Sequence, residues 1–498
     1  MRGTLAQLTA MIDGARMTGD ASFEGVSTDS RQVAPGALFV ALHGETFDAH
    51  DFLDQVAAKG VAAVVVDKLP ENFPLPAIVV PDTLVALGRI GNSWRRQFDI
   101  PVIGVTGSNG KTTVKEMIAA ILAAAFGLEA RLATQGNLNN EIGVPLTVMR
   151  LQDTHRAAVV ELGMNHPGEI ARLAAIAAPT VALVNNAQRE HQEFMHTVEA
   201  VARENGAVLA ALPVDGVAVF PGDDEYTGLW RELAGDRQVL TFGLSEECDV
   251  RATYTVNSFG SDLTVTANTS PLRRQGAKFD ASSTQANSDP RLRGGDVQAD
   301  VAENTPMQFT IRLAAAGTHN VRNALAACAC ALAAGIPPDA IVRGLEGFAP
   351  VNGRLQRKQA AGGATVIDDS YNANPDSVRA AIDVLAQAPA PRILVLGDMG
   401  EVGTQGPEFH EEIGAYAAAR GIETVLVTGA LARHMVGTEA GMGATHFEQF
   451  DDLLAALDKQ LGSKSDATVL VKGSRFMKME RVVQHLITPH NLGKDAQH

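Results

Sequence analysis

Ile100-Pro101-Val102-Ile103-Gly104-Val105-Thr106-Gly107-Ser108-Asn109-Gly110-Lys111-Thr112-Thr113 is an apolar run that passes into a glycine turn and then into the helical spacing of Lys111–Phe126. The Val and Ile positions predict a strand buried on both faces. Gly107 and Gly110 allow the backbone to turn so that successive N–H groups point at phosphate oxygens, and the next helix adds its positive end. Lys111 supplies a mobile cation for the β- and γ-phosphates, and Thr112 a hydroxyl for Mg²⁺. The strict GxxxxGK[ST] spacing is not met, because Val105 holds the first Gly position and Gly104 comes one residue early. An ordinary strand–turn–helix has no need of Gly-Lys-Thr-Thr in a row. Thr106–Thr113 is therefore expected to bind a nucleoside triphosphate.

The same alternation spreads outward from this stretch. Strands are expected at Ala157–Glu161, Val181–Asn185 and Val217–Phe220, with helical runs at Ile170–Ala177 and Thr197–Leu212 between them. Alternation at this spacing predicts a mostly parallel sheet covered by helices on both faces. Before it, residues 1–96 predict a small α/β unit, with strands at Gly36–Leu42 and Ala62–Val66 around a helix at Asp51–Lys59. From residue 337 onward, strands at Thr365–Asp368, Arg392–Leu396, Thr424–Val427 and Thr468–Val471 predict a Rossmann-like domain. The expected fold is thus α/β with three domains, 1–96, 97–336 and 337–498. Thr266–Thr305, rich in Ser, Asn, Asp, Gln and Arg, interrupts the second. It reads as a mobile insertion (about 267–305) between the two strands of a hairpin, Ala252–Val256 and Met307–Ile311.

A chain of 498 residues exceeds what one core organises. Its 41 basic against 57 acidic residues leave a net charge of −16, which argues against non-specific binding to nucleic acid or an anionic membrane. Cys248, Cys328 and Cys330 cannot close a disulfide framework and form no zinc-type cluster, so buried, inert thiols are expected. Met1–Leu8 has no signal-peptide apolar core, and no apolar run reaches the roughly 18 residues of a membrane span. A cytoplasmic monomer is the expectation.

Hard oxygen ligands are required wherever a triphosphate is handled with a divalent cation. Glu161 ends a buried strand at the carboxyl edge of the sheet, where such ligands lie, although a solvated strand-end acid is the plainer alternative. His191 follows Val181–Asn186 in the same topological position, and a histidine there serves a structural role as readily as a metal.

Thr106–Thr113, Gly136-Asn137-Leu138-Asn139-Asn140-Glu141-Ile142-Gly143-Val144-Pro145, Glu161-Leu162-Gly163-Met164-Asn165, His191, Gly317-Thr318-His319-Asn320-Val321-Arg322-Asn323 and Gly353-Arg354-Leu355 occur in that order. In this the chain resembles the Mur ligase family, over nearly its whole length apart from 266–305. Asp368-Asp369-Ser370-Tyr371-Asn372-Ala373-Asn374-Pro375, Gly397-Asp398-Met399-Gly400-Glu401 and Lys472-Gly473-Ser474-Arg475 resemble the member that adds D-alanyl-D-alanine. Ser27–Arg31 and Gly44–Phe52 agree, and the Asp-Asn-Pro-Arg signature of the diaminopimelate- or lysine-adding member is absent.

The resemblance implies an ATP-dependent ligase that joins D-alanyl-D-alanine to UDP-N-acetylmuramoyl-tripeptide through an acyl phosphate. It implies that Thr106, Gly107, Ser108, Asn109, Gly110, Lys111, Thr112 and Thr113 hold the ATP phosphates. Thr112 and Glu161 would bind one Mg²⁺, and His191 would help to hold a second. His319 and Asn323 would face the adenine, while Arg354 and Asp369 would reach phosphate and ribose from the third domain. Lys111, Glu161, His191 and Arg354 are the implied catalytic set. Ser30, Arg31, Asp48 and His50 would lie near the UDP-sugar, Asn139 and Asn140 near the reacting carboxylate, and Asn372 and Asn374 on the dipeptide side. One position departs from the family. Where many relatives carry a carbamylated lysine that steadies the second Mg²⁺, this chain has Asn205; Glu204, its neighbour, points about 100° away on a helix.

Two rival readings remain beside this one. A sister ligase would add a diamino acid or glutamate, and a nucleotide-binding regulatory module would carry no ligase chemistry.

Overall fold

Val102–Thr106 is a strand buried along its full length, because helices cover both faces of the sheet it occupies. In the computed structural model, which describes residues 1–44, 46–190, 192–257, 260–273, 306–436, 444–462 and 466–488, it pairs in parallel with Ala157–Glu161 and with Val181–Val184. From one edge the nine-stranded central sheet runs Met307–Leu313, Gly260–Ala267, Val250–Asn257, Gln238–Gly243, Val217–Pro221, Val181–Val184, Val102–Thr106, Ala157–Glu161 and Arg131–Ala133. The first two pairings are antiparallel and the rest parallel. One face packs Ile103, Val105 and Val159 under the helices Lys111–Phe126 and Thr318–Ala333. The other packs Val102, Ala158 and Val160 under Glu169–Ala177 and Val198–Ala210. Cys328 and Cys330 are fully buried and free, and burial pushes both thiols far above their ordinary range.

Two boundaries differ from the expectation. Ala252–Val256 and Met307–Ile311 are not partners in a hairpin: Gly260–Ala267 lies between them and pairs antiparallel with both. Its alternating Leu263, Val265 and Ala267 face the core, a short pattern that the polar composition after it obscures. The expected insertion therefore starts later, and its residues 274–305 lie outside the described residues. The helix Pro338–Glu346, placed in the third domain by sequence, buries Ala340, Ile341 and Leu345 in the central core instead. Gly344 comes so close to Ile121 that a Cβ would meet its backbone at 2.4 Å.

The N-terminal domain has a five-stranded sheet in the order Arg16–Met17, Ala77–Val79, Ala63–Val66, Leu38–Val40, Val26–Ser27. Its helix Thr83–Arg95 docks it on the central domain, with Asn92 Nδ2 donating to Ala175 O at 2.7 Å and Arg95 to the carbonyls of Ala177 and Ala178. The C-terminal domain has a six-stranded sheet, Gln356–Gln359, Thr365–Asp369, Thr468–Lys472, Arg392–Leu396, Thr424–Thr428, Ala444–Phe447. It is parallel except at the Gln356–Gln359 edge. Among the described residues no helix is long and apolar enough to cross a membrane.

Candidate active site

Strand Val102–Thr106 ends in a turn that only glycine can make. Gly107 has φ 133° and Gly110 φ 82°. A Cβ on Gly110 would lie 2.5 Å from Asn323 Oδ1, and one on Gly107 would lie 2.9 Å from Asn185 Cβ. The turn is braced from the next strand end: Asn186 Oδ1 accepts the Asn109 N–H at 2.8 Å, and the Asn185 and Asn186 amides donate to Asn109 O. Lys111 opens the helix, and its ammonium donates to Gly107 O at 2.6 Å, Ser108 O at 3.0 Å and Glu190 Oε1 at 2.9 Å. The lysine is thus folded back over the loop.

Beside it, Glu161 Oε1 accepts from Thr112 Oγ1 at 3.1 Å and from Asn139 Nδ2 at 2.9 Å. Glu161 is 2% exposed, and its Oε2 is buried with no hydrogen-bond partner. A buried carboxylate oxygen without a donor is costly unless a cation meets it. The pairing of a hydroxyl, a carboxylate and an open lone pair suits Mg²⁺, whose ligands are hard oxygens. His191 lies outside the described residues.

The two residues at the departure from the family separate cleanly. Glu204 accepts the N–H groups of Gly168 at 2.8 Å and Ile170 at 2.9 Å, so it caps the helix Glu169–Ala177 and is no substitute ligand. Asn205 is fully buried, and its Oδ1 accepts from Thr106 Oγ1 at 2.6 Å beneath the loop. Its Nδ2 is buried with no hydrogen-bond partner.

The third domain closes the other side. Asp369, at the end of strand Thr365–Asp369, accepts from Lys472 Nζ at 2.6 Å and from Leu355 N–H at 3.1 Å. Burial pushes its carboxyl above the usual range, and the Lys472 charge opposes that. Lys472 also donates to Asn372 O. Arg354 stacks on Tyr371, with its guanidinium carbon 4.4 Å from the ring centroid. Asn374 caps the helix Pro375–Ala386 through Ser377 N–H and donates to Asn109 Oδ1 at 2.9 Å, so one side chain joins helix start and loop. Arg189 spans the same boundary, forked onto Asp376 and Glu412 at 2.7 Å each.

These residues enclose one cleft of about 830 Å³. Ser108 to Thr113, Asn139, Asn140, Glu161, His319, Asn323, Arg354, Asp369, Asn372 and Asn374 line it. Thr106 and Gly107 do not line it. Within the wall, Asn140 spends its side-chain oxygen on the start of helix Gly143–Val148, and Asn323 braces Asn185 and Asn320. Burial, with the nearby Lys472 charge, pulls the His319 imidazole down to about 4. Ser30, Arg31, Asp48 and His50 are on the N-terminal domain and do not line this cleft. Arg31 is forked onto Asp29, and Asp48 accepts from His50.

Sequence reasoning passed over Asn186, Gln188, Glu190 and the Asp223–Arg322 pair, bidentate at 2.8 Å, all on the cleft wall. Arg322 stands within Gly317–Asn323, and Lys472 opens Lys472–Arg475. Glu190 had one signal, its place at the carboxyl end of a central strand.

A glycine loop after a central parallel strand, faced across a cleft by a second doubly wound domain, defines a three-domain α/β enzyme of the nucleotide-dependent class. Residues 105–331 match the Mur ligase middle domain, 353–475 the Mur ligase glutamate ligase domain and 22–95 the Mur ligase family catalytic domain. The chain belongs to the Mur ligase family. It is 38% identical over 483 residues, 97% of this chain and 98% of the other, to the UDP-N-acetylmuramoyl-tripeptide–D-alanyl-D-alanine ligase of Escherichia coli strain K12. It is similar in structure to MurF from Acinetobacter baumannii (TM-score 0.85, 32% identity, covering 98% and 99% of the two chains). MurF ligase from Thermotoga maritima, solved in complex with ADP, matches with a TM-score of 0.77 at 25% identity over 93% and 97% of the two chains.

Proposed function

We infer that this chain is an ATP-dependent amide ligase that joins D-alanyl-D-alanine to UDP-N-acetylmuramoyl-tripeptide, forming ADP and phosphate, in peptidoglycan precursor synthesis. The observation that carries it is the single cleft in which the Lys111 loop, the Thr112–Glu161–Asn139 cluster and the Arg354–Asp369–Lys472 group meet. The proposed division of labour gives residues 1–96 the UDP-sugar, the central domain the triphosphate, and the C-terminal domain the dipeptide and the ribose. The chain is proposed to act as a monomer in the cytoplasm.

A carboxylate does not condense with an amine at neutral pH, so it must first gain a leaving group. The γ-phosphoryl group of ATP passes to the tripeptide carboxylate: a P–O bond to ADP breaks as a P–O bond to the carboxylate forms. The amine of D-alanyl-D-alanine then attacks the acyl carbon, and the tetrahedral intermediate loses phosphate and a proton to give the amide. The main demand is charge neutralisation, since two anions approach each other. Lys111 meets it by exchanging Glu190 and the loop carbonyls for phosphate oxygens, and the loop N–H groups hold their places. Thr112 and Glu161 would hold Mg²⁺, with His191 the candidate for a second ion, and that charge would stabilise the transferred phosphoryl group. Asn139, bound to Glu161, keeps that carboxylate oriented and faces the entering substrate. Arg354 and Lys472 bring charge from the opposite wall, and closure of the two walls excludes water from the acyl phosphate.

Isotope transfer tests this route. With ¹⁸O in the terminal carboxylate of the tripeptide, the phosphate released carries ¹⁸O from it. Unlabelled phosphate from a turning-over enzyme would rule out the acyl phosphate.

A further inference from the structure

Among the described residues, Lys111, Arg322, Arg354, Lys472 and Arg475 are the lysines and arginines on the cleft wall. Four of them have a task. Lys111 lies over the glycine loop, and Arg322 is forked onto Asp223 at 2.8 Å. Lys472 is 4% exposed and spends its ammonium on Asp369 and on Asn372 O. Arg354 stacks on Tyr371 and carries charge for the phosphoryl transfer. Arg475 differs. Its side chain is 62% exposed, and its Nη1 pairs at 2.9 Å with Glu480 Oε1, a carboxylate that is itself partly in solvent. A surface pair of this kind contributes little and is readily exchanged for a less hydrated anion.

The sheet decides where Arg475 stands. Asp369 and Lys472 are register partners at the ends of two parallel strands, so Asn372 and Arg475 each lie three residues past the same rung. The two turns are fastened to each other: Lys472 Nζ donates to Asn372 O at 2.8 Å, and Ser474 Oγ donates to Ala373 O at 3.2 Å. Ser474 N–H donates to Asp398 O at 2.9 Å, and its Oγ accepts from Gly400 N–H, which draws in the turn after a third strand. The Arg475 guanidinium carbon lies 5.8 Å from the Tyr371 ring centroid, within cation–π range. Asn372 is exposed on the same wall. A cation, a ring and an amide are thus gathered at one sheet end, across the cleft from the Lys111 loop.

The ligase reaction proposed above, on which this inference rests, takes a dipeptide zwitterion as acceptor. Its amine must lose a proton and attack the acyl carbon, so that end points towards Asn139 and the phosphates. Its carboxylate lies one residue farther off and stays charged throughout. A carboxylate drawn into a cleft is costly unless a cation meets it, and a guanidinium fork matches its two oxygens. We propose that Arg475 exchanges Glu480 for the C-terminal carboxylate of the dipeptide, beside Asn372, and so selects acceptors with a free carboxylate one residue beyond the attacking one. The contact is the same before and during amide formation, so it serves binding of the acceptor rather than the chemical step.

The test compares two acceptors on the full chain, D-alanyl-D-alanine and D-alanyl-D-alaninamide, which differ only in that carboxylate. ATP, Mg²⁺ and UDP-N-acetylmuramoyl-tripeptide are held at saturation. The parent chain prefers the acid by about 10- to 100-fold in kcat/KM, the scale of a hydrogen bond to a charged group. Arg475→Met brings that ratio to about one by raising the KM for the acid, not the KM for ATP. Arg475→Lys restores part of the preference, whereas Arg354→Met slows both acceptors and keeps the ratio. Each ratio is taken within one variant, so a loss of folded enzyme cancels. If Arg475→Met yields no active enzyme, phenylglyoxal labelling of Arg475 in the parent chain, read by mass spectrometry, is slowed by the acid and not by the amide. Equal use of the two acceptors by the parent, a ratio kept in Arg475→Met, or labelling that the acid does not slow would overturn the proposal and leave the ligase reaction standing. Ligation of neither acceptor would overturn both.

Discussion

Lys111 carries the greatest load for its size. Its ammonium spans Gly107 O, Ser108 O and Glu190 Oε1, beside the loop amides. Lys111→Ala is expected to lower ADP release by at least about 10²-fold, read in a coupled assay; near-parental turnover would remove the phosphate role. Asn205 makes a second prediction. Its amide nitrogen is not nucleophilic and cannot take up carbon dioxide, so added bicarbonate leaves ADP release unchanged; activation would show that another residue carries a carbamate. His319 makes a third. Half-buried on the cleft wall and close to Lys472, its imidazole stays neutral in an NMR titration until about pH 4, and a midpoint near the ordinary value of about 6.5 would contradict that desolvation. The sign of the linkage follows. Between those two values the unfolded chain binds a proton that the folded chain does not, so this group removes stability as pH falls and has no effect above the higher one. Lys111, Thr112 and Glu161 are legible in sequence because strand, turn and helix are local. Arg189 is not, since its partner Asp376 is 187 residues away and only domain docking brings them together.

Among elements, the parallel strands are the most legible. Val102–Thr106, Ala157–Glu161 and Thr468–Lys472 are apolar on both faces, and a continuous apolar run bounded by turns has few other readings. Amphipathic and edge strands are harder. Gly260–Ala267 alternates with Ser, Asp and Thr, and Gln356–Gln359 has no apolar residue at all; its pairing with Thr365–Asp369 alone makes it a strand. Helix Pro338–Glu346 shows the same limit, since its apolar face is plain but which core receives it is a tertiary matter. Pairing of Ala267 with Met307 brings the two ends of the intervening segment together in the sheet. Replacing 274–305 by a short Gly/Ser linker is therefore expected to preserve the unfolding midpoint and ADP release, because loop length costs only about 0.6 kcal/mol per doubling. Loss of folding would show that the segment contributes to the core.

At the scale of the molecule, function depends on two domains that share one cleft. Asn109–Asn374 and the fork of Arg189 onto Asp376 and Glu412 hold the central and C-terminal domains together in this arrangement. In a double-mutant cycle, Arg189→Ala and Asp376→Ala are expected to couple by roughly 0.5–3 kcal/mol in kcat/KM, with each single variant lowering turnover. Strict additivity would mean that the bridge does not set the active geometry. The three-domain plan is legible from the spacing of strand and helix, whereas the position of each domain against the next rests on side chains such as Arg95 and Arg189 that no periodicity marks. The account as a whole stands on the ligase reaction itself. ADP release should be measured with ATP and Mg²⁺ while UDP-N-acetylmuramoyl-tripeptide and D-alanyl-D-alanine are supplied separately and together, with diamino acids and D-glutamate as alternative amines. The account predicts turnover only when the tripeptide nucleotide and D-alanyl-D-alanine are both present; turnover with another amine, or none with any pair, would contradict it.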